Sequence, residues 1–292
     1  MKMKIETRNE YEKAVNQVID YINRHLYDSP DLKKLSEIAN ISEFHFHRIF
    51  KAIIGENVGE FVARLRMEDI AQCLRMTNHS LTTIATQKGY ATKYALSKAF
   101  KKHFGISPSG YRALPQNKAF FDRGDQRKHI TLSPDMRTLE SKNVVYIRII
   151  DWYGSPDSYT RAWKQLGRFA WQNHLINDRT EYIGLSFDDP TITPPESCRF
   201  YACFTVEDFV TPTGPFGLQT IGGGLYAVFL LKGAYDGLLD LYCNIYLNWL
   251  PYSGYRLRKM YAFEKYLNNP TYVDEEDLLT EVFVPVEIVE EQ

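Results

Sequence analysis

Over the first third of the chain, apolar residues recur with the three- and four-residue spacing of amphipathic helices. Ala14, Val15, Val18, Ile19, Ile22 and Leu26 form one stripe and predict a helix over 11–26. The segment Tyr27-Asp28-Ser29-Pro30-Asp31 stops it and offers a cap to a second helix over 32–39. Ser42 caps a third, which runs to about Ile54 and ends at Gly55. A longer helix is expected over 60–76, with Phe61, Leu65, Ile70 and Leu74 among its apolar positions. Ser80 caps 81–87, Thr92 caps 93–104 with Gly105 as terminator, and Ser107-Pro108 opens a last short helix to Tyr111. From Asn143 onward the pattern changes to short β-branched and aromatic runs, which read as strands over 144–150, 182–188, 200–206, 224–232, 260–267 and 280–286. Amphipathic helices are expected over 159–173 and 238–250.

The order strand–helix–strand–strand thus occurs twice, and a local echo supports the repeat. Ser186-Phe187-Asp188-Asp189-Pro190-Thr191 resembles Tyr266-Leu267-Asn268-Asn269-Pro270-Thr271. The expected architecture is an all-α N-terminal domain followed by an α+β domain of tandem βαββ modules.

The helical part repeats as well. Leu32, Leu35, Ser36, Asn40 and Ile41 recur 49 residues later as Leu81, Ile84, Ala85, Gly89 and Tyr90. After a one-residue slip, Phe46, Arg48, Phe50, Lys51, Gly55 and Phe61 recur 50 residues later as Leu96, Lys98, Phe100, Lys101, Gly105 and Tyr111. Each copy is a short helix, a tight corner and a second helix presented outward, the pattern of a helix-turn-helix. In the second helix of the first copy, Phe46, Ile49, Phe50 and Ile53 form the expected core stripe. Phe44, His47, Arg48 and Lys51 face the other way. In the second copy the core stripe is Leu96, Ala99, Phe100 and His103, and the outward set is Lys93, Tyr94, Ser97, Lys98 and Lys101. Arg48 suits bidentate pairing with guanine and Phe44 a thymine methyl, while His47, Ser97 and Lys98 suit bases or phosphates.

Charge sharpens this reading. The overall balance of −1 conceals +8 over residues 1–130 and −9 over 131–292. Residues 70–121 contain no acid at all, yet carry Arg75, Lys88, Lys93, Lys98, Lys101, Lys102, Arg112 and Lys118. A solvated face normally mixes both signs, so a stretch purged of acids points to a polyanionic partner. The expected domains are 1–114 and 136–292, joined by a polar linker over 115–135 in which Phe120-Phe121 pack on one domain or the other. The four cysteines, Cys73, Cys198, Cys203 and Cys243, form no C-x-x-C pair and read as free thiols in a reducing compartment. His45 and His47 diverge on a helix and have no third ligand nearby, so no metal and no cofactor is expected. No apolar run reaches membrane-spanning length and the N-terminus is too polar for a signal peptide, so the chain is expected to be cytoplasmic, with no membrane partner.

Over residues 11–114 the chain resembles the AraC/XylS family of bacterial transcription regulators. The second copy carries the resemblance: Ile84-Ala85, Gly89-Tyr90, Leu96-Ser97-Lys98-Ala99-Phe100-Lys101-Lys102, Phe104-Gly105-Ile106-Ser107-Pro108 and Tyr111-Arg112. The resemblance implies that one long helix joins the two motifs and sets their recognition helices in adjacent major grooves of double-stranded DNA, about 34 Å apart. Two departures stand out. Asn40 replaces the usual turn glycine, and Asn tolerates the same left-handed backbone. Lys98 stands where the family usually has arginine, which weakens bidentate readout there.

The second domain is acidic and rich in aromatics, most of which are core by size. Glu264 stands out in Tyr261-Ala262-Phe263-Glu264-Lys265-Tyr266-Leu267, sharing a strand face with Ala262 and Tyr266. The echo aligns it with Gly184, so an acid from one module would face a void in the other. A solvated strand acid is the competing reading. Gly222-Gly223-Gly224-Leu225-Tyr226-Ala227-Val228-Phe229, Trp249-Leu250-Pro251-Tyr252-Ser253-Gly254-Tyr255, Phe263-Glu264-Lys265-Tyr266-Leu267 and Phe283-Val284-Pro285-Val286 resemble the GyrI-like (gyrase-inhibitor-like) domain. That resemblance implies a cleft binding small, often cationic or amphipathic, molecules through Glu264; Tyr146, Tyr226, Trp249 and Tyr266 are the expected further lining. The triple glycine precedes a strand and reads as a strand-entry turn, not a phosphate cradle.

The expected function is a sequence-specific DNA-binding transcription regulator tuned by a small-molecule effector, with RNA polymerase as a further partner. No catalytic residues are assigned. The alternatives are a small-molecule hydrolase, using Glu264 with Tyr146 or Tyr226 as acid–base partners, and a protein-interaction module.

Overall fold

The computed structural model describes residues 2–28, 31–114, 132–207 and 210–289, with side chains from residue 7. The expected packing of Phe120-Phe121, and all of the expected linker up to residue 131, lie outside the described residues. The chain divides into two compact units.

The first unit is helical: α1 Lys2–Arg24, α2 Leu32–Ala39, α3 Glu43–Ile54, α4 Val58–Met76, α5 Leu81–Gln87, α6 Lys93–Phe104 and α7 Pro108–Arg112. Helix α1 starts well before the expected Tyr11 and stops short of Leu26, which packs beside the core from the following turn. The caps explain the other boundaries. Asp31, Ser80, Thr92 and Ser107 each accept a backbone N–H from the first turn of their helix. Ser42 occupies the cap position of α3 without such a bond. Helix α4 begins two residues early because Asn57 and Glu60 close a reciprocal capping box. Asn40 adopts φ 52° and ψ 40° at the corner of the first motif, and Gly89 adopts φ 71° at the corner of the second.

Phe46 and Phe50 of α3 are fully buried, with Phe50 edge-on to Phe61 of α4. Leu96 and Phe100 occupy the same places in α6, with Phe100 edge-on to Tyr111. The two ends of the expected core stripes do not hold. Ile53 is 39% exposed and His103 is exposed, while the next residue of each last turn, Ile54 or Phe104, packs against the core instead. Helix α4 clamps both motifs: Arg64 bonds Glu56 and Glu68, and Asp69 accepts from both Tyr27 and Lys88.

The second unit is an antiparallel sheet with two helices. Its elements are β1 Asp135–Leu139, β2 Lys142–Ile150, α8 Pro156–Gln172, β3 Tyr182–Ser186, β4 Arg199–Val206, β5 Phe216–Ile221, β6 Gly224–Lys232, α9 Gly237–Asn244, β7 Tyr255–Leu257, β8 Phe263–Tyr266 and β9 Leu279–Ile288. Strand order is β1-β6-β9-β8-β3-β4-β2-β5, with β7 on the end of β9. The two expected modules are β2-α8-β3-β4 and β6-α9-β8-β9, and they meet at the β3–β8 pair. Three strands escaped the sequence pattern. β7 is only three residues long, β5 contains a glycine, and β1 is largely polar.

The overlooked strands β1 and β5 tie the modules together. β1 precedes β2 but pairs with β6, and β5 precedes β6 but pairs with β2. One antiparallel register runs through both pairings, from Asp135↔Val228 to Ile147↔Phe216. It bends at Gly222-Gly223-Gly224, where a Cβ on Gly223 would sit 2.7 Å from the Leu139 carbonyl. Only glycine permits that crossing. Both helices pack on one sheet face. Helix α8 covers Val145, Ile147, Phe200 and Ala202, and α9 with its following turn covers Phe229, Val282 and Val284.

Candidate functional site

Two sites emerge, one in each unit. In the first, eight of the nine residues expected to face DNA are exposed: Phe44, His47, Arg48 and Lys51 on α3, and Lys93, Tyr94, Lys98 and Lys101 on α6. Ser97 is the exception. It is half-buried, and its hydroxyl donates back to the Lys93 carbonyl at 2.8 Å. The aromatic of each repeat is strongly exposed, Phe44 at 62% and Tyr94 at 74%. Each holds a cation over its ring, Arg48 at 4.2 Å from the Phe44 centroid and Lys93 at 5.4 Å from that of Tyr94. Asp69, the last acid before the acid-free run, is neutralised by Lys88 at 2.6 Å.

In the second unit Glu264 is 1% exposed, which removes the solvated-acid reading. It sits at the β3–β8 seam, directly opposite Gly184. The absent side chain makes the room. A Cβ on Gly184 would lie 2.7 Å from Glu264 Oε2 and 2.7 Å from Phe200 Cζ, and it would strike the Tyr266 hydroxyl. Glu264 Oε1 accepts from the Tyr242 hydroxyl of α9 at 2.7 Å and from Ser186 at 3.2 Å, while Oε2 has no partner among the described residues. Burial raises the Glu264 carboxyl to about 7, against the lowering pull of Tyr242 and Ser186. Burial, and then the Glu264 charge, hold Tyr242, Tyr246 and Tyr266 above the usual tyrosine range.

The expected lining is only partly assembled. Tyr266 is present, beside Gly184 and edge-on to Trp163 and Tyr235. Tyr146 and Tyr226 are not. Register puts Glu264, Gly184, Ala202 and Ile147 on the helix-covered face, and Tyr146, Cys203 and Ile183 on the opposite face. Tyr146 stacks on Tyr201 there, and Tyr226 meets Phe263 and donates to the Gly222 carbonyl. Strand alternation would have separated them once the pairing was known. Trp249 shares the face of Glu264 but packs on Phe229 and Tyr255. The residues the sequence reading did not assign are Tyr242, Tyr246, Tyr159 and Ser186. Tyr242 and Tyr246 stand four apart, the spacing that stacks one above the other in a helical segment, and their rings are parallel within 12°.

Comparison with known proteins places both units. The description "GyrI-like small molecule binding domain" matches residues 132–287, and a helix-turn-helix domain matches 35–114. MarA of Salmonella typhimurium is 30% identical over 105 residues, which cover 36% of this chain and 83% of MarA. The chain belongs to the AraC family of regulators and carries a GyrI-like domain. The right origin-binding protein of Escherichia coli K12 is 25% identical over 269 residues, covering 86% of this chain and 89% of that protein. The solved C-terminal domain of EcmrR covers 55% of this regulator, at 21% identity and TM-score 0.48. As a member of that family, the chain is a DNA-binding transcription regulator with a small-molecule-binding domain. Among the described residues no helix is long and apolar enough to cross a membrane.

Proposed function

We propose that this regulator binds double-stranded DNA with α3 and α6 in adjacent major grooves, and that a cationic or amphipathic effector bound at Glu264 changes its DNA affinity. The observation that carries the effector half is the buried carboxyl with one unpartnered oxygen among tyrosines. A positive charge is the ligand that such a site stabilises most, and tyrosine faces add cation–π attraction. Tyr266, Tyr242 and Tyr246 are its proposed lining. On the DNA side, Arg48 and Phe44 read bases with His47, and Lys98 contacts phosphate. Lys51, Lys93, Tyr94, Ser97 and Lys101 hold the backbone. The setting is the cytoplasm, and RNA polymerase is the further partner through which DNA occupancy alters transcription.

Effector binding regulates only if it discriminates between states of different DNA affinity. The test is selection of operators from randomised duplex DNA, followed by operator affinity with and without a panel of organic cations. Two short blocks about one helical turn apart, with an affinity that moves on cation binding, are expected. Operator affinity that stays constant under saturating cation would overturn the switching half.

A hydrolase reading now has a different acid–base pair, because Tyr242, rather than Tyr146 or Tyr226, touches Glu264. Turnover of a reactive small molecule that is lost in Glu264→Gln would favour it over sensing.

A further inference from the structure

We propose that effector uptake exchanges a cation for a proton: Glu264 is a neutral carboxylic acid in the empty site, and the arriving positive charge ionises it, its proton passing to solvent. This rests on the effector reading above. The basis is the set of groups that face the carboxyl. Ser186 faces it from β3, and Tyr242 and Tyr246 from α9 and the turn after it. Tyr159 faces it from α8 and Tyr266 from its own strand, with Tyr235 behind Tyr266. On β9, Thr280 pairs with Tyr266 and is fully buried, its hydroxyl likewise without a partner. Asp189, after β3, adds negative charge near Tyr246.

None of these groups is a cation, and none bonds Oε2. The tyrosines are held as neutral hydroxyls. A carboxylate buried without a counter-charge is costly, and a buried acid escapes that cost by keeping its proton. Burial brings the carboxyl to about 7, so the exchange falls within the physiological range. A bound permanent cation supplies the missing counter-charge and lowers that value again. Affinity for the cation then rises about tenfold per pH unit up to roughly pH 7 and levels off above it.

The experiment uses the full chain and tetraphenylphosphonium, a permanent aromatic cation. Titration calorimetry in two buffers of different ionisation enthalpy gives the protons released. About one proton per site is expected at pH 6 and about none at pH 8.5. Infrared difference spectra at pH 6 should show a protonated-carboxyl C=O band lost on cation binding. The same band should be missing from the difference spectrum of Glu264→Gln. Binding with equal affinity at both pH values and no proton release overturns the exchange while leaving the site intact. A band that persists in Glu264→Gln also overturns it. No binding at either pH overturns the effector reading itself.

Discussion

Gly184 and Glu264 are register partners across β3 and β8, and the space the glycine leaves is the space beside the carboxyl. Each comes from a different module, so the site exists only where the two modules meet. A methyl group at 184 would lie 2.7 Å from Glu264 Oε2, and neither the strand backbone nor Phe200 can retreat freely. Gly184→Ala is expected to cost about 1–3 kcal/mol by overpacking. It should also weaken binding of an organic cation at least about tenfold, equivalent to ~1.4 kcal/mol. Calorimetry together with thermal unfolding measures both. Unchanged cation binding in a folded Gly184→Ala protein would mean that ligands dock elsewhere.

The raised carboxyl of Glu264 has a stability consequence with a definite sign. Its folded value, about 7, lies above the ordinary 4.5. The folded state therefore holds a proton that the unfolded state has released between those values. The stabilisation is full below about pH 4.5, shrinks as pH rises, and is lost above about pH 7. Glu264→Gln, which cannot ionise, should be more stable than the parent at pH 8 by roughly 1–3 kcal/mol. The gap should close near pH 5. Chemical denaturation of the second unit's transition at both pH values measures it, and a gap independent of pH would contradict the assignment.

Arg48 and Lys98 hold equivalent positions in the repeat but differ in chemistry. Arg48 presents a planar fork stacked over Phe44 at 4.2 Å, whereas Lys98 is a point charge on an exposed turn. Arg48→Ala should cost about 1–3 kcal/mol on the selected operator and relax preference at one base pair. Lys98→Ala should weaken all duplexes alike and reduce the salt slope by about 1. Binding isotherms at several salt concentrations separate the two. Equal effects of both variants on matched and mismatched DNA would remove the distinction.

Asn40 tests the corner of the first motif. At φ 52° most side chains are strained, while glycine is not. Asn40→Gly should change stability by only a few tenths of a kcal/mol, and Asn40→Val should cost about 1–2 kcal/mol. Thermal unfolding of the first unit would show it. An Asn40→Val protein as stable as its parent would mean that the corner relaxes to another backbone conformation.

The chain's own pattern determined the local elements and their kinds. Helices α2, α5 and α6 and strand β6 match the expected spans residue for residue, because caps, terminating glycines and apolar period act within a few residues. The repeat, the outward basic faces and the singular Glu264 were legible for the same reason. Tertiary structure alone decided which residues meet. Tyr146 and Tyr226 are tyrosines in strands, as expected, yet a one-residue alternation sends them to the face opposite Glu264. Tyr242 reaches the carboxyl across 22 residues through the seating of α9, and Ser186 across 78 through the β3–β8 pairing, neither of which a short-range signal encodes. Ile53 and His103 follow the helical period but are left uncovered, because burial depends on which neighbour packs there. Periodicity assigns a side chain to a face of its own element. Only the pairing of distant strands and the seating of the helices decide what that face meets.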